Sequence, residues 1–352
     1  MKTPPEPPRQ IPPEYLSEFT MNGQVPVTEW YFNEVGGLHM EQYTVDTINK
    51  NIEKVKAGHV GHYGVTDTYL YDALKKYSIQ GKDVLIYGSA LPWYEPVCFA
   101  HGCASCTVLE YNLPPLDYPN LSYHLPEDLE GRKFDAAFSI SSFEHDGLGR
   151  YGDPIDPNHD LTAMHDAKAM LKPGGVLFFV VPLGRDLLVW NAHRVYGRRR
   201  LPLLLREWNV EASFGYNESI LDTETNLGIQ PVFVLTPKDD DSIDGEIKLP
   251  ESMSDAGPSP AYSGMYDLGD GQNPIGRLNV IRTQQYALAK SYVDGTDVLE
   301  GYSGSGAGSL LLGSKSYTGI DISSENKTFA EKFCAPMVAN AQFIMGSIVN
   351  LP

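Results

Sequence analysis

With 352 residues, the chain is long enough for about two domains that each bury a core. Hydrophobic residues make up 42% and charged residues 20%, which are ordinary values for a globular protein. The formal net charge of −18 disfavours a nucleic-acid backbone or an anionic membrane as the main partner.

The sequence also bears on the compartment. No segment reaches the ~18 apolar residues of a membrane span, and the proline-rich start lacks the apolar core of a signal peptide. Four cysteines in this length do not make a disulfide framework. We therefore expect a cytoplasmic protein, in a reducing compartment and without a membrane partner.

The N-terminal region divides into a tail and a cap. Residues 1–14 are rich in proline, which lacks a backbone donor and suits neither a helix interior nor a central strand, so they are predicted to be a disordered tail. Residues 15–80 are aromatic and helical in pattern, with the best helices predicted at 40–55 and 67–77. We expect this segment to form a helical cap over the sheet of the first domain.

The first domain is predicted over residues 81–237 and begins with a strand at 83–87 that leads into Gly88-Ser89-Ala90. One glycine followed by two small residues lets a backbone approach a ligand. About 20 residues further on, a strand predicted at 107–111 carries Glu110. A carboxylate at this spacing can accept hydrogen bonds from both hydroxyls of a ribose. The alternative for Glu110 is a rim carboxylate in a strand turn.

A Cys-x-x-Cys pair lies between these two strands, at Cys103 and Cys106, with His101 beside it. Structural zinc normally takes four ligands, and no second pair lies nearby in the sequence. We therefore predict ordinary packing here and no metal site.

The segment from Phe134 to Pro182 organises this domain. Two short apolar runs at its ends are typical of strands in a parallel sheet that is covered on both faces. Between them lie a polar loop at 146–160 and a helix predicted at 161–171, and a Pro-Gly-Gly turn starts the second strand. Ligands bind beyond the carboxyl ends of such strands. Those ends carry Ser139, Ser141, Ser142, Glu144, His145 and Asp146, so a site is expected there.

A Phe-Asp strand that ends in Glu144-His145 and is followed by Leu-Lys-Pro-Gly-Gly resembles strands four and five of class I S-adenosylmethionine (SAM) methyltransferases. With Tyr87 to Ser89, Pro92 to Glu95 and His193 to Gly197, residues 60–237 resemble an uncharacterised methyltransferase-like family, domain of unknown function 268. Further strands predicted at 121–124, 208–214 and 231–236 give seven in all. The resemblance implies an α/β, Rossmann-like sheet with helices on both faces and SAM as the cofactor. It implies no substrate.

Within this resemblance we assign candidate roles. His145 and His193 are the candidate proton acceptors, because imidazole titrates close to neutral pH. Glu144 is grouped with them, although it is expected to shape the pocket or contact the cofactor more than to abstract a proton. A structural role is the alternative for each histidine. The candidate cofactor-binding residues are Gly88, Ser89, Ala90, Glu110, Ser139, Ser141 and Ser142.

A basic run, Arg198-Arg199-Arg200, has two interpretations. It is either a set of salt-bridge donors at a solvated helix end or a clamp for an anionic substrate.

The C-terminal part is predicted to hold a partial second Rossmann-like domain. Residues 238–261 are acidic and poor in apolar residues, as in a solvated linker. Residues 262–352 then resemble the first half of another class I methyltransferase, with Glu300, Gly304, Gly306 and Asp321 as candidate cofactor-binding residues and a third strand predicted at 343–345. A half-sheet has an open edge and little burial. We therefore expect either a fragment of a longer tandem protein or a unit that docks on a partner surface.

Two main functional hypotheses follow. The first is a SAM-dependent methyltransferase that acts on a small acceptor, sugar-like or anionic, by in-line transfer. The second is a catalytically inactive methyltransferase-like module that supports a second, active domain. A nicotinamide-dependent oxidoreductase would also have a glycine-containing loop after its first strand, but the Pro-Gly-Gly turn disfavours this interpretation.

Overall fold

The protein is described by a computed structural model over residues 6–34, 40–224, 229–239, 297–301, 315–321, 331 and 340–345. The chain divides into two units, residues 1–257 and 258–352. Among the described residues, no helix is both long enough and apolar enough to cross a bilayer.

The elements of the first unit alternate between helix and strand. Its helices are α1 (Leu16–Phe19), α2 (Val45–Lys56), α3 (Val65–Lys76), α4 (Tyr94–Ala100), α5 (His159–Ala169) and α6 (Leu201–Leu204). Its strands are β1 (Val27–Trp30), β2 (Asp83–Tyr87), β3 (Ser105–Leu109), β4 (Leu121–His124), β5 (Phe134–Ile140), β6 (Leu171–Val180), β7 (Leu187–Asn191), β8 (His193–Val195), β9 (Trp208–Phe214) and β10 (Val232–Pro237).

Seven of these strands form the central sheet, in the order β4-β3-β2-β5-β6-β10-β9. β10 is antiparallel to both of its neighbours, β6 and β9, and the remaining pairs are parallel. Counted along this sheet, the order is 3-2-1-4-5-7-6. The predicted α/β fold, with a sheet of seven strands and helices packed against it, is confirmed for the first unit.

The central sheet is buried on both faces, as the continuous apolar runs predicted. On one face, Leu85, Leu177 and Phe179 pack in one cluster with Met164 of α5 and Leu201 of α6. On the flanks of the sheet, α3 packs against β9 and β10, and α4 packs against β2 and β3. Strands β2 and β4 have the predicted bounds. β3 ends at Leu109, so Glu110 follows the strand at the edge of the sheet.

The N-terminal segment forms the predicted helices α2 and α3 but also contributes a strand that the sequence did not indicate. β1 pairs with β7 in parallel, and β7 pairs with β8, which makes a second sheet of three strands. Residues 6–12 lie along this part of the domain. The carbonyl of Pro7 accepts from the Tyr31 hydroxyl at 2.7 Å, and that of Pro8 accepts from Trp190 Nε1 at 3.2 Å. The prediction of a disordered tail is therefore wrong for residues 6–14.

The second unit contains three parallel strands, β11 (Asp297–Gly301), β12 (Ser316–Asp321) and β13 (Ala341–Met345), in sequential order. Tyr317, Ile320 and Phe343 are buried. Glu300 lies on β11 and Asp321 ends β12, whereas Gly304 and Gly306 lie outside the described residues. The linker at 240–261 also lies outside them, and the second Rossmann-like domain stays a prediction.

Candidate functional site

The carboxyl ends of β2, β3, β5 and β6 meet at one edge of the central sheet. The backbone N–H of Gly88 donates to the carbonyl of Leu109 at 2.9 Å, which joins the ends of β2 and β3. The N–H of Ser141 donates to the carbonyl of Val180 at 2.9 Å, which joins the ends of β5 and β6. The structure therefore brings the loop at 88–90, Glu110 and the segment from Ser139 to His145 to the same edge.

Gly88 occupies a position that favours glycine. Its φ is +71°, in the left-handed region, and a Cβ built there would lie 2.9 Å from the Ser142 hydroxyl. The following Ala90 is exposed. Of the predicted cofactor residues, Gly88, Ser142 and Ala90 are thus placed together around the turn that leaves β2.

Glu110 accepts a hydrogen bond from the loop after β2, close to which it was predicted to lie. Its Oε2 accepts from Ser89 N–H at 2.9 Å, and its Oε1 accepts from the N–H groups of Tyr111 at 2.8 Å and Asn112 at 3.3 Å. Burial raises the pKa of Glu110, and these three hydrogen bonds oppose the rise. A carboxylate offers about four acceptor positions, so roughly one is left for a ligand.

The three serines after β5 have different surroundings. Ser139 is fully buried between β2 and β6, and its Oγ has no hydrogen-bond partner among the described residues. It presents no surface to a ligand in this arrangement. Ser141 has a φ of +53°, unusual for a residue with a side chain. Its hydroxyl donates to Glu144 Oε1 and accepts from Gln230 Nε2 at 3.3 Å.

Glu144 is fully buried, and burial raises its pKa to about 7. The hydrogen bond from Ser141 opposes this rise, as do the charges of Arg150 and Arg194. Its second carboxyl oxygen, Oε2, has no hydrogen-bond partner among the residues that the structure describes. Glu144 therefore presents no surface to a ligand in this arrangement, and its predicted role in shaping the pocket stays a prediction.

His145 is held in one tautomer. Its Nδ1 lies 2.6 Å from the carbonyl oxygen of Ala192, and because a carbonyl only accepts, Nδ1 carries the hydrogen. Burial and the nearby charge of Arg150 hold the pKa of His145 well below its usual range. The ring is therefore neutral at pH 7, with a lone pair on Nε2. That atom lies 3.7 Å from Glu144 Oε1, beyond hydrogen-bonding distance.

Aromatic side chains surround His145. The ring of His193 lies 6.3 Å from it and that of Tyr151 lies 5.5 Å from it, both edge-on, and Trp30 lies 6.2 Å from His193. We call these four side chains the aromatic wall. Sequence reasoning missed Trp30, which arrives on β1 through a pairing with β7 that no local pattern indicates. It also passed over Tyr151, although the loop at 146–160 was predicted to be functional.

Buried arginines tie down that loop. Arg200 makes a two-pronged contact with Asp160, at 2.6 and 2.9 Å, and also donates to the carbonyl of Pro157 at 2.6 Å. Arg194 donates to the carbonyl of Asp146 at 2.6 Å. Burial opposes ionisation of Asp160, but Arg194 and Arg200 outweigh it and hold the pKa of Asp160 below its usual range.

The basic run is not a free clamp. Arg198 pairs with Glu218 at 2.6 Å and with Asp222 at 2.9 Å, and Arg199 donates to Gln24. Arg200 is buried against Asp160. All three are engaged within the protein, as the salt-bridge interpretation requires.

A search of the described residues for three or more His, Cys, Asp or Glu side chains placed to hold a metal found no such group. Cys98 and Cys106 are buried free thiols, and His101 Nδ1 bonds to the carbonyl of Val97 at 2.9 Å.

Comparison with known proteins gives one family and a set of solved structures. Residues 81–227 match the family described as "Caenorhabditis protein of unknown function, DUF268". No curated protein matches the sequence. Similar solved structures include the N-methyltransferase NodS from Bradyrhizobium japonicum, with 16% identity over 49% of this chain and 94% of that one and a TM-score of 0.35.

Two further structures are similar at the same level. An S-adenosylmethionine-dependent methyltransferase from Clostridium acetobutylicum shares 12% identity over 55% of this chain and 99% of that one, with a TM-score of 0.35. The CcbJ methyltransferase from Streptomyces caelestis shares 11% identity over 60% of this chain and 100% of that one, with a TM-score of 0.37. Residues 81–227 are thus similar to domain of unknown function 268, the family that residues 60–237 were expected to resemble.

Proposed function

We propose that the first unit is a SAM-dependent methyltransferase that acts on a small acceptor, sugar-like or anionic, by in-line transfer in a reducing, cytoplasmic setting. One observation carries this proposal. The turn at Gly88, the Glu110 carboxylate and a neutral His145, whose Nε2 makes no hydrogen bond to the described residues, lie along one edge of the seven-stranded sheet.

The residues at this edge fit the cofactor. Gly88 has a left-handed φ that glycine adopts without strain, and Ala90, two residues further on, is exposed, so this turn presents backbone at the edge of the sheet. Glu110 has about one acceptor position free, which suits one ribose hydroxyl and not the two that the sequence led us to expect. SAM, when bound, supplies an electrophilic methyl group on a positively charged sulfur.

The protein contributes a base and its orientation. His145 takes a proton from the acceptor on Nε2, while the carbonyl of Ala192 holds the other nitrogen and therefore the ring. Glu144 lies 3.7 Å from Nε2 and stabilises the imidazolium that forms. His193, 6.3 Å away by ring centroid, is the second candidate for this role. Orientation of the reactants accounts for up to ~7–11 kcal/mol in well-aligned reactions.

The aromatic wall favours the sugar-like class of acceptor over the anionic one. Trp30 is 36% exposed and so offers an apolar face to a flat or ring-shaped molecule. Arg150, 5.0 Å from the Tyr151 ring of this wall, is already paired with Glu34 at 2.7 Å, and Arg198 and Arg200 are paired elsewhere.

Calorimetric titration with SAM tests the cofactor assignment. We expect the parent protein to release heat and Glu110→Ala to bind about tenfold more weakly or worse, because three backbone donors and a ribose hydroxyl lose their acceptor. Glu53→Ala, which removes an exposed carboxylate of α2, is the control and should bind as the parent does. Absence of heat with the parent protein would contradict the proposal.

Formation of S-adenosylhomocysteine with a panel of sugar-like and anionic acceptors tests the base. We expect His145→Ala to lower turnover by about 10²–10⁴-fold while SAM affinity is retained. His165→Ala, an exposed histidine paired with Glu207, should leave turnover unchanged. Equal turnover in His145→Ala and the parent would transfer the role to His193 or remove it.

One observation favours the inactive-module alternative. The N–H, carbonyl and hydroxyl of Ser89 are all bonded to other protein groups, so this residue of the loop has no free donor to offer a cofactor. The same titration separates the two functions. A folded parent protein that binds neither SAM nor NADH would support the inactive module and exclude the oxidoreductase as well.

A further inference from the structure

Glu95 is a fully buried carboxyl group that the proposed reaction does not use. It lies in the first turn of α4, just after the loop that leaves β2. Its Oε1 accepts from the Ser89 hydroxyl at 2.7 Å and from the Tyr123 hydroxyl at 3.2 Å. Its Oε2 has no hydrogen-bond partner in the described part of the chain. A buried carboxyl group that leaves one oxygen without a hydrogen bond lowers the stability of the fold.

Every polar group of Ser89, the residue that donates to Glu95, forms a hydrogen bond within the protein. The Ser89 N–H donates to Glu110 Oε2 at 2.9 Å, and the Ser89 carbonyl accepts from the Tyr43 hydroxyl. The Ser89 hydroxyl lies 2.7 Å from Glu95 Oε1 and 3.1 Å from the carbonyl of Leu91, and the shorter distance makes Glu95 its main acceptor. Three parts of the fold therefore converge on one residue: the edge after β3, the cap and α4.

This network explains how a loop with a single glycine is ordered. Gly88 makes the turn, but Ser89 brings a hydroxyl into a half-buried position, where it needs an acceptor. Glu95 supplies that acceptor six residues later, and the turn between them is closed by the first residues of α4. Side-chain hydrogen bonds thus take the place of further glycines in setting the shape of the loop.

We propose that Glu95 is the positioning residue of the cofactor loop: by accepting from Ser89, it fixes residues 88–90 in the conformation that binds the cofactor. This inference rests on the proposed function and names a determinant of cofactor affinity within it. Glu95 contacts neither cofactor nor acceptor, and it acts through Ser89.

The surroundings of Glu95 make this control pH-dependent. The titratable groups that face it are the phenols of Tyr43 and Tyr123, the carboxylate of Glu110 and the thiols of Cys98 and Cys106. None of these groups is a cation. Burial raises the pKa of Glu95 to about 7, and the charge of Glu110 adds to the rise. Ionisation above that pH favours opening of the loop to water, so SAM affinity should fall as the pH rises through about 7.

Three single variants test the inference by SAM titration at about pH 6 and about pH 8. Glu95→Ala removes the acceptor of Ser89 and Tyr123, and we expect SAM to bind about tenfold more weakly. Glu95→Gln keeps an acceptor oxygen and cannot ionise, so it should bind within about threefold of the parent at the lower pH and lose the fall in affinity at the higher pH. Val97→Ala is the control, since it truncates a fully buried side chain of the same helix and removes no polar group.

Amide hydrogen exchange without SAM supplies a readout that does not depend on the cofactor. We expect Glu95→Ala to speed exchange at Ser89 and its neighbours in the loop, while Val97→Ala lowers the melting temperature without this local effect. If the parent binds no SAM, the proposed function fails, and exchange alone decides the positioning role. Unchanged affinity and unchanged loop exchange in Glu95→Ala, whatever its melting temperature, would overturn the inference.

Discussion

Two loops at the same edge of the sheet are each built around a fully buried glutamate. Glu95 supports the loop after β2, and Glu144 lies in the loop after β5. Burial raises the pKa of both to about 7. Their neighbours differ. Glu95 is held by hydroxyl groups and faces no cation among the described residues, whereas Arg150 and Arg194 act on Glu144.

The same raised pKa therefore has different physical origins in the two loops, because different groups oppose the effect of burial. At Glu95, hydrogen bonds from neutral groups alone oppose the cost of burial. At Glu144, hydrogen bonds act together with arginines that also bind the loop backbone, as Arg194 does at Asp146. We therefore expect the first loop to respond to pH and to the loss of a hydroxyl acceptor. The second loop should respond to the loss of a charge.

The largest effect is expected where the second loop is anchored. Asp160→Asn leaves Arg200 and Arg194 buried without their counter-charge, and we expect the free energy of unfolding to fall by about 3–5 kcal/mol. Urea denaturation measures it. A loss below about 1 kcal/mol would show that the buried arginines do not depend on Asp160, and the contrast between the loops would fail.

A pH series separates the two glutamates from the other carboxyl groups. A carboxyl pKa raised from 4.5 to about 7 contributes stability that is fully present below pH 4.5 and is lost as the pH rises through about 7. For each glutamate the loss is at most on the order of 3 kcal/mol. We expect Glu95→Gln and Glu144→Gln each to flatten the fall in unfolding free energy between about pH 5 and pH 8.

Asp135→Asn is the control for that series. Its hydrogen bond from Lys172 lowers the pKa of Asp135, so its contribution is present above 3.8 and is lost only as the pH falls. The slope between about pH 5 and pH 8 should therefore not change. An unchanged slope in both glutamine variants would contradict the assignment of the raised pKa values.

A smaller effect is expected from the turn of the first loop. Gly88→Ala adds left-handed strain of about 1–2 kcal/mol and a contact 2.9 Å from the Ser142 hydroxyl. Gly174→Ala adds similar strain at a φ of +77° but meets nothing within 4 Å. Thermal denaturation should rank Gly88→Ala below Gly174→Ala, and the additional Ser142→Ala change should remove most of the difference. Equal stabilities would mean that Ser142 yields without cost.

The smallest effect is expected at the surface. Arg198→Ala removes an exposed pair with Glu218 and Asp222 and should change the free energy of unfolding by less than about 1 kcal/mol, with turnover unaffected. A marked loss of turnover with an anionic acceptor would restore the clamp interpretation of the basic run.

Much of the central sheet could be predicted from the sequence because its signals are local. The strands at Asp83–Tyr87 and Leu121–His124 are short apolar or alternating runs bounded by turn residues, and their bounds were predicted correctly. Parallel strands end at a common edge, so the same reasoning placed Glu110 close to Gly88.

The parts that could not be predicted depend on long-range pairing. β1 pairs with β7 across most of the domain and brings Trp30 to His193, and no pattern near residue 30 indicates a partner near residue 190. Residues 6–12 are also held by a long-range contact, because the carbonyl of Pro8 accepts a hydrogen bond from Trp190. Proline content suggested disorder because composition cannot register a docking surface that folds elsewhere in the chain.

By itself, the sequence determined the sheet, the edge at which a ligand would bind and the residue types gathered there, because hydrophobic periodicity and turn chemistry act between near neighbours. Only the tertiary structure decided the states of those residues. The neutral ring of His145, the single free acceptor position of Glu110 and the raised pKa of Glu95 and Glu144 each depend on which groups surround them in space. Desolvation and hydrogen bonding depend on which groups are close in the folded chain, and separation along the sequence does not indicate which groups these are.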